Sequence, residues 1–561
     1  MSTLEFAGEV ERWSRPGGAF EPTLLTAHDE AESFPAEACA ALDGWGLPAY
    51  YVPTRYGGRL ARLEDVHTLL RTVAARDMTV AVAHGKTFLG AASVWAAGDG
   101  GPMSLLARHV LAGEAVAWGL TEPDAGSDLL AGTLTATRNG SGWRLSGRKW
   151  PVNNATRGRF VSVLARTDPA GGPRGFSLFL VDKRATAPGS VRHLPKMPTH
   201  GIRGADISGI EFVDARVPSH SLVGTVGGGL ELVLKTLQLT RVTCVALSLG
   251  AGDHSLRIIR NFLGERRLHG RPLSDLPHAR AVTGRAVARQ LLAEAVAFTA
   301  ARAAHEIPQE LSVVSAVTKA LVPTLVQGQL RLIGELLGAR SFLTGVEGYG
   351  GFAKIERDHQ IVSVFDGSTW VNRSALAATL PLLRPGRRPV APAGLPAHEW
   401  LREDHEPAAL DPLRLGVLAR GDSILGGLGG LVARLSADMP DGTASLAARL
   451  LDAYADLDAR IAGVGATTGS PTTAAMRMAE RYEWCFAGAA ALALWAANPQ
   501  HHDHGWWRDG GWLAGCLALV LEGLGVRPPE ASAVFNRLGS LLLTPEGDRV
   551  GLLGRPAGVP A

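Results

Sequence analysis

Cysteine is scarce. Four cysteines (Cys39, Cys244, Cys485 and Cys516) are spread over 561 residues with no Cys-x-x-Cys pair, which excludes a disulfide scaffold and a cysteine zinc site and fits a reducing, cytoplasmic setting. Long apolar runs are missing as well. Those near Phe486 to Ala497 and Trp512 to Leu521 fall short of the roughly 18 residues a membrane span requires, so they read as buried helices and no membrane partner is expected. The N-terminal MSTLEFAGEVERW carries acidic residues and no apolar run behind a basic start, which predicts no signal peptide. Net charge is small for this size: 56 Lys and Arg against 53 Asp and Glu leave +3, which does not call for nucleic acid or an anionic surface. Lysine is rare beside abundant Ala, Gly and Arg, the texture of a GC-rich bacterial gene.

What is present is ordinary globular material, with 46% apolar and 19% charged residues. The length predicts three or four structural units. The fold class expected is α+β and multidomain. A helical domain over 1–115 contains LEDVHTLLRTVAARD, with apolar residues at three-to-four spacing. From 116 to 222 short alternating stretches such as RFVSVLART and GFSLFLVDK predict a β domain, with Asn139-Gly140 marking a hairpin. Three long segments with wide apolar faces then predict a helical bundle over 223–384. The Pro- and Gly-rich 385–397 reads as a linker to a further helical region over 398–561. From Pro385 onward 15 Lys and Arg face 19 Asp and Glu, a net of −4.

The bundle ends in IVSVFDGSTWVNR, Ile361 to Arg373, where four mostly apolar residues run into Phe365-Asp366-Gly367-Ser368. An acidic residue followed by Gly is a place where a carboxylate can be pinned at the mouth of a pocket, and Asp366 is the candidate general base. Upstream stand Thr121-Glu122-Pro123-Asp124-Ala125-Gly126-Ser127-Asp128, then GRKWPVNNATRG from Gly147, GIRGADISGIEFVDARVP from Gly201, GERRLHGRPL from Gly264 and RDHQIVSVFDGS from Arg357. These five strings, in this order, resemble the acyl-CoA dehydrogenase family over about 36–383. The resemblance implies an N-terminal helical domain, a middle β domain and a C-terminal four-helix bundle, followed here by an extra helical extension.

The resemblance further implies FAD and an acyl thioester, on CoA or an acyl-carrier protein, that loses an α-proton to Asp366 and a β-hydride to flavin N5. Flavin contacts fall on Leu120, Thr121, Ser127, Pro151, Val152, Asn153, Arg266, Gly348, Ser368 and Trp370. Substrate contacts fall on Ser127, Thr240, Arg241, Phe365 and Gly367. Arg266 matches an arginine that binds the FAD pyrophosphate, usually of the neighbouring subunit, and a guanidinium fork suits two phosphate oxygens. Four departures stand out. Asp366 replaces the usual Glu and is shorter by one C–C bond, roughly 1.5 Å. Asn153 stands for the usual Thr, Pro151 for a common aromatic, and Thr240 before Arg241 cannot serve as the alternative carboxylate base found in some members.

Other features carry less. Gly224 to Gly229 (GTVGGG) lacks the spacing of a phosphate loop, GGLGGL from Gly426 reads as helix packing or a turn, and His501-His502-Asp503-His504 reads as a solvent loop with no metal, since no second ligand cluster accompanies it. Two relatives remain as alternatives: an acyl-CoA oxidase or flavin monooxygenase-like enzyme, and a non-enzymatic alkylation-response flavoprotein, for which a basic C-terminal region is expected and an acidic one is found. The expected partners are the thioester and an electron acceptor, an electron-transfer flavoprotein or oxygen. The extension is placed to cover a surface used for tetramer packing, so a homodimer is expected.

Overall fold

Eight strands lie between Val116 and Val223: β1 (Val116–Gly119), β2 (Thr135–Asn139), β3 (Gly142–Asn153), β4 (Phe160–Arg166), β5 (Phe176–Asp182), β6 (Val191–Leu194), β7 (Ile207–Val217) and β8 (Leu222–Val223). Strands β4 and β5 do not alternate as expected but are buried on both faces along all but their last residue. They form one mixed sheet in the order β6-β7-β3-β2-β4-β5-β8, with β1 parallel to β4. The Asn139-Gly140 signal is borne out: β2 and β3 pair antiparallel with Asn139 opposite Gly142, and Gly140 takes φ +59°. Inward residues of several strands, among them Trp143, Leu145, Val161, Phe179 and Phe212, make the apolar core of this sheet. Gly227 and Gly229, in the GTVGGG loop, pack on β5: the Gly227 N–H donates to Ser177 Oγ at 2.9 Å, and a Cβ on Gly229 would stand 2.5 Å from the Ser177 carbonyl carbon. The loop's glycines answer a close approach of backbone to backbone.

This computed structural model describes residues 3–98, 102–345, 350–383, 397–419, 421–463, 470–503, 505–548 and 550–553. Two compact units result. One is Phe6–Thr240 with Ala409–Val417, containing the sheet, α1 (Thr3–Trp13) from Phe6 onward, and α2 (Pro22–Glu30), α3 (Ala36–Trp45), α4 (Leu63–Ala74), α5 (Met78–Trp95) and α6 (Met103–Leu111). The other joins Arg241–Ala408 to Leu418–Ala561, with Met1–Glu5. The division falls inside α7 (Gly229–Glu265), between Thr240 and Arg241. Apart from Ala397, the linker expected over 385–397 lies outside the described residues.

In the second unit α7 is followed by a β9–β10 hairpin (Arg267–Leu268, Arg271–Pro272), then α8 (Pro277–Glu306), α9 (Leu311–Leu337), α10 (Gly350–His359) and α11 (Thr369–Thr379). The extension adds α12 (Ala397–Trp400), α13 (Ser423–Gly426), α14 (Leu428–Leu435), α15 (Asp441–Ala462), α16 (Thr473–Ala497), α17 (Gly511–Gly523) and α18 (Ala531–Leu542). The GGLGGL string spans the junction of the short helices α13 and α14 at Gly427. Helix α8 is enclosed, with α9, α16, α17 and α18 all packed on it. Two glycines bring α18 to backbone contact with α8: a Cβ on Gly284 would stand 1.7 Å from the Phe535 carbonyl oxygen, and one on Gly539 2.0 Å from that of Arg280.

The apolar runs near Phe486 and Trp512 are buried helices, as expected. They are not the most membrane-like segments, however. Gly229–Glu265 and Leu311–Phe342 are each long and apolar enough to cross a bilayer, with 78% of the relevant window buried against protein in each; their length escapes notice because Arg, Lys and Gln punctuate the apolar runs. The His501-His502 pair is not a solvent loop. His502 stacks on Trp495 at 4.0 Å and meets its carbonyl at 3.0 Å, while His501 pairs with Glu403 at 2.6 Å; His504 lies outside the described residues.

Gly284→Ala places a methyl group inside the Phe535 carbonyl and should destabilise the protein by about 1–3 kcal/mol through overpacking. A lowered thermal unfolding midpoint checks this, with Gly442→Ala, where a Cβ meets nothing within 4 Å, as the reference that stays near wild type.

Candidate functional site

The Asp366 turn joins a 3₁₀ segment, Gln360–Ser363, to α11, whose first turn is capped by Ser368 Oγ accepting from the Val371 N–H at 3.2 Å. Asp366 has φ +55° and Gly367 φ +90°. Two consecutive left-handed residues reverse the chain sharply, and Asp is among the few side chains that tolerate that region. At Gly367 a side chain would be strained by the positive φ and crowded, since a Cβ would lie 3.1 Å from Asn372 Nδ2 and 3.3 Å from Arg241 Nη2.

A reversal this tight leaves carbonyls that no regular ladder satisfies, and three side chains take them. Lys319, fully buried on α9, donates to the Val362 carbonyl at 2.7 Å and the Gly367 carbonyl at 3.0 Å. Asn372 Nδ2 donates to the Gly367 and Ser368 carbonyls at 2.8 and 2.9 Å. Arg241 Nε donates to the Asp366 carbonyl at 3.3 Å. Burial pulls the Arg241 guanidinium down to about 10, with the Asp366 charge working in the opposite direction, so it stays cationic at neutral pH. The Phe365 ring centroid is 5.7 Å from Lys319 Nζ. His359 is held at about 3 by burial and by the Lys319 charge; neutral, it joins Ser248 (2.9 Å) to Gln327 (2.8 Å). On the outside, Val364 and Trp370 are exposed.

In the other unit the TEP and KWPVNN segments lie together. The Trp150 N–H donates to the Thr121 carbonyl at 2.9 Å, and Thr121 Oγ1 donates to the Pro151 carbonyl at 2.9 Å. Beneath them Lys149 Nζ, nearly inaccessible, donates to the Leu120 carbonyl at 3.0 Å and to Glu122 Oε1 at 2.8 Å. Glu122 also accepts from the Thr133 N–H and hydroxyl, both at 2.7 Å, and from the Leu134 N–H at 3.0 Å. Burial alone would raise this carboxyl; the Lys149 ammonium and the other donors outweigh it and hold Glu122 at about 2. The pair thus anchors the strand end that carries Leu120 and Thr121.

The predicted residues fall into groups. Leu120, Thr121, Pro151, Val152 and Asn153 are joined in one unit, with Val152 in the sheet core and Ser127 exposed in the turn that follows. Arg241, Phe365, Asp366, Gly367, Ser368 and Trp370 are gathered in the other, while Thr240 is buried next to Arg241 along α7 and bonded to the Leu237 carbonyl at 3.3 Å. Arg266 is not with them: it is exposed just past the far end of α7, roughly 38 Å along the helix from Arg241 at 1.5 Å per residue. Gly348 lies outside the described residues. A cavity of about 360 Å³ against Asp43, Tyr51, His84 and Arg157 touches none of the predicted residues. Sequence reading missed Lys319, Asn372, Lys149 and Glu122 as supports. Lys319 left one signal, a single charge within the apolar stretch 311–330 of α9.

Comparison with known proteins follows the same order of parts. Residues 117–215 match the family model for the acyl-CoA dehydrogenase middle domain, and 227–380 that for the acyl-CoA dehydrogenase C-terminal domain. Probable acyl-CoA dehydrogenase FadE25 of Mycobacterium tuberculosis is 25% identical over 359 residues, 63% of this chain and 89% of that protein. Cyclohex-1-ene-1-carbonyl-CoA dehydrogenase of Geobacter metallireducens is 31% identical over 267 residues, 44% of this chain and 65% of that one. The solved acyl-CoA dehydrogenase complexed with FAD from Bacillus anthracis superposes with a TM-score of 0.69 at 16% identity, over 97% of this chain and 95% of its own, so its fold matches through the extension.

The Glu122 carboxyl, held below its ordinary value, contributes stability above pH 4.5 that is lost as pH falls from 4.5 toward 2, on the order of 3 kcal/mol. Glu122→Gln should be less stable than wild type at pH 6, because Lys149 is left buried without its counter-charge, and the gap should narrow toward pH 3. Thermal midpoints of both proteins across that range check it.

Proposed function

From the premise that the chain belongs to the acyl-CoA dehydrogenase family, we propose that it oxidises an acyl thioester to the 2,3-enoyl thioester, with Asp366 taking the α-proton. The chain is an oxidoreductase acting on CH–CH donors, and its cofactor is FAD. The observation that carries the reading is the Asp366 turn itself: a carboxylate on a left-handed pair of residues, its backbone fixed by Lys319, Asn372 and Arg241. Such support is what proton abstraction requires, since a base displaced by about 1 Å can lose on the order of 100-fold in rate.

The residues present fit FAD. Trp118 Nε1 and Asn153 Oδ1, one donor and one acceptor at the ends of β1 and β3, are buried and have no hydrogen-bond partner among the described residues. That complement suits the pyrimidine edge of an isoalloxazine, which offers both N–H and carbonyl groups. Arg266, exposed on the hairpin at the end of α7, offers a fork for a pyrophosphate, and its distance from Arg241 suits the FAD of a second subunit in a homodimer. When bound, FAD supplies the acceptor for the β-hydride at N5. The chain's own groups then do the rest: Asp366 accepts the α-proton, its backbone N–H polarises the thioester carbonyl as negative charge develops, and Thr240, having no carboxylate, leaves Asp366 as the base. Acyl-CoA is the substrate class the family supports, with an acyl-carrier protein as a second carrier, and an electron-transfer flavoprotein reoxidises the cofactor.

Asp366→Asn should leave FAD bound and lower the rate of flavin bleaching by a thioester at least 100-fold, the lower end of what a positioned base contributes. Stopped-flow absorbance with a panel of CoA and carrier-protein thioesters checks it; bleaching at the wild-type rate would place the base elsewhere.

A further inference from the structure

Helix α11 carries the Asp366 turn at its N-terminus, and the residue after Asn372 is bound to the C-terminal extension. Arg373 Nε and Nη2 donate to the two carboxylate oxygens of Glu483, on α16, at 2.8 and 2.7 Å. Glu483 is fully buried, and the Arg373 side chain is 18% exposed. Glu480, one turn earlier on α16, adds a second carboxylate 3.5 Å from Arg373 Nη1. The adjacent residue Tyr482 donates its hydroxyl to Asp422, which caps α13 through the Ile424 and Leu425 N–H groups. Two neighbouring residues of α16 are therefore fastened in different directions, which fixes the rotation of that helix where it meets α11.

A buried ion pair is a poor way to gain stability, because desolvation of two charges consumes most of the attraction and apolar residues of the same volume serve as well. What a bidentate guanidinium–carboxylate pair supplies is geometry: two parallel hydrogen bonds set distance and orientation together. Here that geometry is applied one residue from the side chain that grips the Gly367 and Ser368 carbonyls. Arg373 and Asn372 stand on successive positions of α11, so a roll of the helix that loosens the first displaces the second. We propose that Glu483 is a positioning residue for the Asp366 turn, so that the C-terminal extension completes the site rather than covering the bundle alone. This rests on the dehydrogenase reading of Asp366.

The test uses the full-length FAD-bound protein with Glu483→Gln, which keeps the shape and removes the charge, and Arg373→Lys, which keeps the charge and removes the fork. Arg460→Gln, on an exposed pair with Asp456, serves as the control. Single-turnover flavin reduction at saturating thioester should slow at least tenfold in both test variants, while the thioester Kd stays within twofold. Amide hydrogen exchange over 365–372 should quicken at least tenfold, with the β-sheet amides and the control unchanged. Wild-type reduction rates together with wild-type exchange over 365–372 would overturn the proposal, as would exchange that rises evenly through the bundle. If Glu483→Gln does not fold, Arg373→Lys decides. If no thioester bleaches the wild-type flavin, the dehydrogenase reading fails, and the exchange measurement alone still decides whether Glu483 holds the turn.

Discussion

A lysine ammonium inside an apolar helix is tolerable only where acceptors wait for it, and the Asp366 turn exists in the form it does because Lys319 finds them there. The Val362 and Gly367 carbonyls accept from its Nζ on either side of Asp366. The dependence is mutual. Without Lys319 the Val362 carbonyl loses its side-chain donor and the Gly367 carbonyl keeps only Asn372; without the reversal a fully buried cation loses two of its acceptors. Asn372 and Arg241 complete the arrangement by taking the Ser368 and Asp366 carbonyls. A backbone conformation that most residues avoid is thus over-determined by its surroundings.

The same device recurs in the other unit. Lys149 is buried under the strand end at Leu120 and Thr121, with the Leu120 carbonyl and the Glu122 carboxylate as its acceptors. In both places the buried ammonium bonds backbone carbonyls. It fixes the backbone from behind, leaving the front of the strand end or turn to present its own groups. Rigid support of this kind makes irregular backbone usable for recognition, because the position of an N–H or carboxylate is then set by packing rather than by loop entropy.

Which parts were legible in advance follows from what each signal measures. Periodicity reports the burial of one face, so the β domain from Val116, the Asn139-Gly140 hairpin and the long helices α7, α8 and α9 could be read directly. Motif order carried the Asp366 turn and the TEP and KWPVNN pair, since these are local strings. Periodicity says nothing about contacts between segments distant in the chain. Lys319 and Gly367 are 48 residues apart, and Arg373 and Glu483 are 110 apart. The His501-His502 pair was misjudged for the same reason: polarity favoured solvent, while the Trp495 ring that covers His502 is visible only in three dimensions.

The extension shows how such long-range contacts alter the meaning of a domain. Gly284 and Gly539 let α18 reach the backbone of α8, at a separation no side chain larger than hydrogen permits. Contact that close cannot be made by a loosely tethered module, because each glycine surrenders conformational freedom that only tight packing returns. With α16 also packed on α8, α9 and α11, the helices after Ala397 share one core with the bundle that precedes them. The extension and the Asp366 turn therefore form a single mechanical body, and a substitution in one is felt in the other through packed side chains with little room to yield.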